Sequence, residues 1–269
     1  MLLREVEYAR PSSLEEAIGL LQANDGARAL AGGQTLINVM KARAASPDVL
    51  VDLNGLQELK GIDLAPDGTL TIGAMTTTSE LIASAETKAR PILAEVCSTI
   101  ADVQVRNRGT IGGNVCSNDP TNHLPPLVVA LGAEMTIRGG GGERTMAAED
   151  FFLGVYMTAA GPGELLTKIR IPAGRRDGFA AVTIGADGTC IVNAAASLDG
   201  PEPRVAIGCV DAVPVLLRPG STDEGAVRDA VRGANLEPPS DVHASADYRR
   251  HLAEVLAVRA VAQAQNRKN

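Results

Sequence analysis

Along the first hundred residues the apolar positions switch repeatedly between two periods. In PSSLEEAIGLLQANDG, Leu14, Ala17, Ile18 and Leu21 recur at i, i+3, i+4 and i+7, which is one face of a helix. Ser13 and Glu16 stand at capping-box spacing at its start, and Asn24-Asp25-Gly26 stops it. ARAL (27–30) then reads as a short strand, TLINVMKAR as a helix and DVLVDLN (48–54) as another strand. GTLTIGAMTT (68–77) alternates as a half-buried strand does. ARPILAEVCSTIAD (89–102) predicts a helix, with Pro91 near the first turn where its missing N–H costs little. PPLVVALGAEMTIRGGGGERTM (125–146) reads as an apolar segment, a strand and a four-glycine turn, and GELLTKIRIP (163–172) as a strand closed by Pro172.

At AGRRDG (173–178) the texture changes, and a domain boundary is placed there. Beyond it FAAVTI, CIVNAAASL and RVAIGCV are strand-like runs separated by Asp-Gly and proline-rich turns, the pattern of a small antiparallel sheet. Two helices close the chain. Ser221 and Glu224 cap the first, which stops near Gly233, and Tyr248, Leu252, Val255 and Leu256 form the apolar face of the second. The closing QNRKN reads as the one disordered stretch.

Two apolar runs end in Gly-Gly pairs with polar edges: LAGGQTLI (30–37) and TIGGN (110–114). Glycine permits a positive φ and lets other groups approach its N–H, and successive N–H groups at a turn or helix start attract anions. In the first stretch the donors are the N–H groups of Ala31 to Thr35 and the Thr35 hydroxyl. In the second they are the N–H groups around Gly112 and Gly113, the Thr110 hydroxyl and the Asn114 amide. Taken alone, each pair reads as a tight turn rather than a ligand loop; the two together, with their polar edges, read as readily as one as the other. Neither has the lysine of a P-loop or the G-x-G-x-x-G of a dinucleotide turn, which disfavours a nucleotide triphosphatase and a simple nicotinamide dehydrogenase. Two such loops without Lys or Arg fit a pyrophosphate that stays bound and is not the reacting group.

Composition narrows the classes further. A net charge of −7 argues against nucleic acid and anionic membranes as partners. Aromatic content of 2% with no Trp leaves little for a carbohydrate platform or base-stacking surface. The longest apolar runs, such as LPPLVVALGA, are far short of a membrane span, and MLLREVEYARPSS lacks a signal-peptide pattern. Cys97, Cys116, Cys190 and Cys209 are scattered without a C-x-x-C, so no cluster or structural zinc is expected on this chain, and they read as reduced thiols of a cytoplasmic protein. There is no G-x-S-x-G elbow or H-E-x-x-H helix. His243 and His251 read as surface residues, whereas His123 closely follows the second glycine stretch.

LAGGQTLINVMK, VRNRGTIGGNVCSNDP and GELLTKIRIP, in that order and at this spacing, resemble the FAD-binding (medium) subunit of the molybdenum hydroxylases, the carbon monoxide dehydrogenase and xanthine dehydrogenase family. YARPSSLEEAIGLL, RVAIGCVDAVPVLLR and HASADYRRHLAEVLAVRAV extend the resemblance over essentially the whole chain. It implies an α+β fold: an FAD-binding domain over 1–175 of the vanillyl-alcohol-oxidase-like type, with subdomains of about 1–57 and 58–175, and a C-terminal domain over 176–269 built of a small antiparallel sheet with helices. Leu30, Ala31, Gly32, Gly33, Gln34, Thr35, Leu36 and Ile37 would hold the FAD pyrophosphate from one side, and Thr110, Ile111, Gly112, Gly113 and Asn114 from the other. Ile100 and Leu166 would line the cofactor. His123 stands where relatives often carry an acidic residue near FAD. Thr183 stands about where xanthine-dehydrogenase-like members carry Lys, so no residue of the flavin's reactive face is transferred from that side. FAD is expected to be non-covalent, and Cys116 reads as a structural thiol.

The resemblance also implies an electron-transfer role with no catalytic residue assigned here. Electrons would come from [2Fe–2S] clusters of a small partner subunit, themselves fed by a large molybdopterin subunit, in a dimer of heterotrimers, and would leave to an external acceptor. Two other readings remain open: a self-contained flavin oxidase of the same fold, and a scaffold subunit without cofactor. The residues after 178, with one Phe and one Tyr, are plain for a substrate cap, and Thr35, Thr110 and Asn114 keep the polar edges that a scaffold would not need.

Overall fold

The computed structural model describes residues 3–185 and 188–267. Three sheets of three or more strands succeed one another along the described residues. The first is parallel, in the order β1-β3-β2, from β1 (Glu7–Ala9), β2 (Ala27–Leu30) and β3 (Val49–Asp52). α1 (Leu14–Ala23) crosses over between β1 and β2, and α2 (Leu36–Lys41) between β2 and β3. The Ser13 hydroxyl accepts from the Glu16 N–H at 3.1 Å and caps α1 as its sequence predicts. The periodic face Leu14, Ala17, Ile18 and Leu21 is buried against Val49 and Val51.

The second sheet is antiparallel, in the order β4-β5-β10-β6-β7. Its strands are β4 (Ile62–Leu64), β5 (Leu70–Gly73), β6 (Glu134–Gly139), β7 (Gly142–Ala147) and β10 (Glu164–Ile171). Between β5 and β6 lie α3 (Thr78–Ala83), α4 (Ile92–Ser98), α5 (Val103–Arg106), α6 (Ile111–Ser117) and α7 (Leu124–Ala130). α8 (Ala148–Phe151) and the hairpin β8 (Phe152–Gly154) and β9 (Met157–Thr158) precede β10. Leu70, Ile72, Met135, Ile137, Ile169 and Ile171 of the sheet share one core with Leu93, Ile111, Leu124 and Leu127 of the helices. Each such side chain fully buried contributes about 1.5–3 kcal/mol. The helix predicted over 89–102 is shorter: it starts after Pro91, ends at Ser98, and the chain beyond it turns left-handed at Ala101, with φ 43°. The apolar segment before β6 is helical, with Pro125 and Pro126 in the first turn, where no intrahelical N–H bond is lost.

The third sheet runs in sequence order through β11 (Asp177–Thr183), β12 (Cys190–Ser197), β13 (Arg204–Gly208) and β14 (Val215–Leu217), all antiparallel. α9 (Glu224–Gly233) and α10 (Ala246–Asn266) pack on one face, where Leu252, Leu256 and Val261 meet Val192, Ala194 and Ala196. Backbone approach is close: a Cβ on Gly178 would lie 1.9 Å from the Ala260 carbonyl oxygen of α10. The opposite face, at Ala195 and Ala206, joins the core of the second sheet. Every residue of β12 is buried, so its run CIVNAAAS lacks a polar alternation.

Three local expectations are corrected. The N-cap of α9 is Asp223, and Ser221 instead bonds the Asp223 carboxylate at 3.0 Å. Tyr248 is 48% exposed, so Leu252, Ala253, Leu256 and Ala257 form the buried stripe of α10. Gln265 and Asn266 finish α10 and Arg267 pairs with Glu95, while Lys268 and Asn269 of the terminal stretch lie outside the described residues.

One buried ion pair ties the second and third sheets together. Arg90, between α3 and α4, forks onto both carboxylate oxygens of Asp177 in β11 at 2.8 Å and reaches Ser197 Oγ at 3.0 Å and the Pro172 carbonyl.

Candidate functional site

The first glycine stretch leaves β2 at Leu30 and turns into α2. Gly33 has φ +75°, a conformation open to glycine and strained for any other residue here. Ile37 N–H bonds the Gly33 carbonyl at 3.1 Å, which closes the turn. Ahead of that bond, the N–H groups of Gly32, Gly33, Gln34, Thr35 and Leu36 donate to no acceptor among the described residues. The Thr35 side chain makes no cap bond and is exposed. A row of unspent donors with a free hydroxyl beside it suits an anionic group.

Asn54 holds this loop from below, and nothing in the sequence pattern singles it out. Its Nδ2 donates to the Ala31 carbonyl at 3.0 Å and to Asp52 Oδ1 at 2.6 Å, and its N–H donates to the same oxygen at 2.9 Å. The Tyr8 hydroxyl donates to the other Asp52 oxygen. Burial pushes the Asp52 carboxyl up, but these hydrogen bonds outweigh it and hold the group below the usual carboxylate range.

The second glycine stretch is a helix, not a turn. Thr110 is the N-cap of α6, its hydroxyl accepting from the Gly113 N–H at 3.0 Å, so Gly112 and Gly113 occupy the first helical turn. The expected N–H donors are spent internally. Ile111 bonds the Thr76 carbonyl at 3.0 Å, Gly112 the Ala74 carbonyl at 2.8 Å and Asn114 the Thr110 carbonyl at 3.0 Å. The glycines serve close packing instead. A Cβ on Gly112 would lie 2.6 Å from both the Ala74 carbonyl oxygen and its Cβ.

The two stretches meet. A Cβ on Gly32 would lie 2.1 Å from the Arg108 carbonyl oxygen, and one on Gly113 would lie 3.4 Å from the Ala31 Cβ. Beside Gly113, Asn114 Oδ1 is buried with no partner among the described residues, an acceptor that a hydroxyl or ring N–H of a bound cofactor would satisfy. The unspent donor row, the orphaned acceptor and the missing Cβ together fit a phosphate-containing cofactor with hydroxyl groups.

The remaining expected residues belong to the core of the second sheet and to its joint with the third. Ile100 is half-buried and packs against the cluster that contains Ile111 and Val115 of α6, and Leu166 is buried in the same cluster beside a bulge in β10. His123 stands at the N-terminus of α7 and faces the C-terminal sheet: its Nδ1 is 3.1 Å from Asn193 Nδ2 and its ring lies 5.3 Å from that of Phe179. Asn193, a polar residue inside an otherwise apolar strand run, is the other half of this joint.

A glycine-edged donor row between a parallel and an antiparallel sheet, with a third sheet docked behind, fits an α+β protein that holds a phosphate-containing cofactor. Residues 4–174 match the family of the FAD binding domain in molybdopterin dehydrogenase, and the chain belongs to that family. It is 39% identical to the carbon monoxide dehydrogenase medium chain of Afipia carboxidovorans over 99% of each chain. It is 45% identical to that of Hydrogenophaga pseudoflava, there over 175 residues that make up 64% of this chain and 61% of the relative. Among solved structures, a chain of the reconstituted CO dehydrogenase from Oligotropha carboxidovorans superposes with a TM-score of 0.92 at 36% identity, over 100% of both chains. FAD is thus the cofactor of this domain, and the chain is an FAD-binding medium subunit of the molybdenum hydroxylase type.

Proposed function

We propose that this chain is the electron-transfer subunit of a cytoplasmic molybdenum hydroxylase complex. It takes electrons from [2Fe–2S] clusters of a small partner subunit, supplied in turn by a large molybdopterin subunit, and passes them to an external acceptor. The proposed assembly is a dimer of heterotrimers. Family membership and end-to-end likeness to medium chains support this reading, as does a sequence without C-x-x-C pairs of its own. Among the described residues no helix is long and apolar enough to cross a membrane.

The observation that carries the reading is the meeting of the two glycine stretches. In this proposal Leu30 to Ile37 hold the pyrophosphate, with the N–H groups of Gly32 to Leu36 and the Thr35 hydroxyl as donors. Thr110 to Asn114 form the opposite side by close approach at Gly113, with Asn114 Oδ1 as an acceptor. Ile100 and Leu166 line the cofactor, and His123 braces α7 against the C-terminal sheet behind it. Bound FAD supplies the electron chemistry, and the protein supplies position and electrostatics. No side chain is assigned a proton-transfer step. The three sheets support a division at about 57 and 175, giving two FAD-binding subdomains and a C-terminal domain.

Two measurements test this. Acid precipitation of the purified protein should leave FAD in the supernatant, as a non-covalent cofactor requires. Co-expressed with its small and large partners, the chain's flavin absorbance should bleach anaerobically when the complex's substrate is added. Turnover of a substrate with oxygen by this chain alone would favour a self-contained oxidase.

A further inference from the structure

One hairpin of the described surface gathers apolar side chains in the open. In β8–β9, Leu153, Val155, Tyr156 and Met157 are each between 49% and 62% exposed, four large apolar side chains within five residues. Exposed apolar residues scattered singly are ordinary, whereas a group of them on one element marks a contact site.

The hairpin is pinned in place. At its root Phe151 and Phe152 are buried in the core of the second sheet, their rings edge to face at 5.3 Å. Asn118, the left-handed C-cap of α6, is buried too. Its Nδ2 donates to the Gly154 carbonyl at 2.6 Å, and its carbonyl accepts the Tyr156 N–H at 3.2 Å. The same amide reaches the Ala212 carbonyl at 3.4 Å, which ties the hairpin to the loop after β13. These bonds hold Tyr156 at φ +56°, a conformation uncommon for a bulky residue. Two carboxylates flank the hairpin. Asp119 accepts the Tyr156 hydroxyl at 3.2 Å, and the exposed Asp211 lines the same small cleft as Asp119. Neither belongs to an ion pair among the described residues. From Asn118 back to the glycine junction is the length of α6, seven residues or about 10 Å. The apolar hairpin thus lies one short helix from the proposed FAD site.

We propose that this hairpin is the docking face for the external electron acceptor, and that the acceptor is a small, basic, one-electron redox protein with an apolar contact surface. It rests on the electron-transfer role proposed above. Size selects a passing partner over a permanent one. A standard interface takes about 800 Å² and roughly 20–30 residues from each side, electron-transfer encounters take less, and four side chains suit the smaller class. Charge selects the sign. Asp119 and Asp211 attract a rim of Lys and Arg, steer it in and set its orientation, an effect that salt weakens. The same carboxylates repel the pyrophosphate of a nicotinamide dinucleotide and the headgroup of an anionic lipid, and a two-fold pairing of hairpins would bring them against their own copies. A pinned hairpin loses little freedom on contact, so a small apolar area suffices. Two acceptor molecules, each gaining one electron, oxidise one reduced FAD, whose two protons pass to solvent.

The test uses the full-length, FAD-loaded chain, alone and assembled with its partner subunits. The probe is cytochrome c, a small basic haem protein, with an acidic plant-type ferredoxin as its opposite. Titration calorimetry of the oxidised chain at low ionic strength should show binding of cytochrome c and none of ferredoxin, and salt at about 0.5 M should abolish it. Val155→Ser combined with Met157→Ser should weaken binding at least about tenfold. Both side chains are about half exposed, so the fold survives their loss. Asp211→Asn should flatten the salt dependence. In the substrate-reduced complex the double variant should reduce cytochrome c more slowly by the same factor, with FAD content and the reduction of ferricyanide unchanged. The proposal is overturned if the wild type does not bind cytochrome c, if ferredoxin binds as well, if the double variant binds undiminished, or if assembly with the partner subunits abolishes binding. A dimer, or binding to anionic phospholipid vesicles, that the double variant loses would overturn it in favour of a second copy or a membrane. Failure of substrate to bleach the flavin of the complex would instead refute the electron-transfer role, while the titration still decides the docking face.

Discussion

Gly113 faces Ala31 across the junction of the two glycine stretches, and a Cβ added to Gly113 would stop 3.4 Å from the Ala31 Cβ and 2.9 Å from the Thr110 hydroxyl. Residues far apart in sequence are thus held within one methyl group of each other. Space is kept on the donor-row side by the absence of a side chain, and the helix start that supplies that absence is pinned by a threonine cap.

Gly113→Val should therefore act mainly on cofactor retention. The added branches occupy the junction and crowd the Thr110 cap, whose loss costs about 1 kcal/mol. FAD content after gel filtration should fall at least about tenfold, the equivalent of ~1.4 kcal/mol, while the melting temperature of the cofactor-free protein drops by only a few degrees. Full FAD occupancy in this variant would remove Gly113 from the site.

Gly112→Ala should act differently although the residue is adjacent. Its Cβ points at Ala74, 2.6 Å from the carbonyl oxygen that accepts the Gly112 N–H. Overpacking of this kind costs about 1–3 kcal/mol. Thermal unfolding of the cofactor-free protein should report that loss, and whatever protein remains folded should still take up FAD.

Asn54→Ala removes the bond that holds the Ala31 carbonyl and one bond to Asp52 Oδ1; its backbone N–H still donates to that oxygen, but its anchoring amide is gone. Each lost side-chain bond is worth about 0.5–1.5 kcal/mol. The FAD dissociation constant, measured by flavin fluorescence, should rise by roughly tenfold. An unchanged constant would mean that the first loop keeps its shape without this support.

The contrast between the two glycine stretches marks what the pattern of residues conveys and what it does not. Strand ARAL, the helix beginning at Leu36 and the cap at Ser13 are local matters, settled by period and capping chemistry, and they stand where the pattern puts them. That Gly112 and Gly113 begin a helix rather than form a turn depends on Ala74 and Thr76, which take the N–H groups of Gly112 and Ile111 from another part of the chain. The same holds for Asn54 and Asn193, whose importance lies in partners 23 and 70 residues away. Likewise the bulge at the start of β12, where Thr183 pairs with Cys190 and Ile191 is skipped, arises from pairing with β11 and has no mark in CIVNAAAS itself. Tertiary partners, not propensity, decide these positions.

Arg90→Met should separate the domains energetically. It strands the Asp177 carboxylate in a site where both side chains are at most 2% exposed. Breaking one partner of a buried pair costs about 3–5 kcal/mol, whereas replacing both by apolar residues is often neutral. Calorimetry should show the single variant strongly destabilised, with the C-terminal sheet losing its hydrogen-exchange protection first. Arg90→Met combined with Asp177→Leu should recover much of the loss. If the single variant melts like the wild type, the pair does not anchor β11.

The Asp52 cluster gives the first sheet an acid limit. Hydrogen bonds from Tyr8 and Asn54 hold the folded-state pKa of Asp52 below its unfolded value, despite the opposing effect of burial. A depressed carboxylate pKa contributes stability that is fully present above the unfolded value of about 3.9 and is lost as pH falls through the folded value. Tyr8→Phe removes one of the two partners and should shrink that contribution. The wild type should therefore melt higher than Tyr8→Phe at neutral pH, and the gap should hold down to about pH 5 and close progressively below about pH 4 as Asp52 takes up its proton in both states. Because the same carboxylate anchors Asn54, FAD should be released over the same acid interval, and earlier in the variant than in the wild type. Melting curves and flavin fluorescence recorded across this range check both limbs, and a gap that instead widened on acidification would reverse the assigned sign.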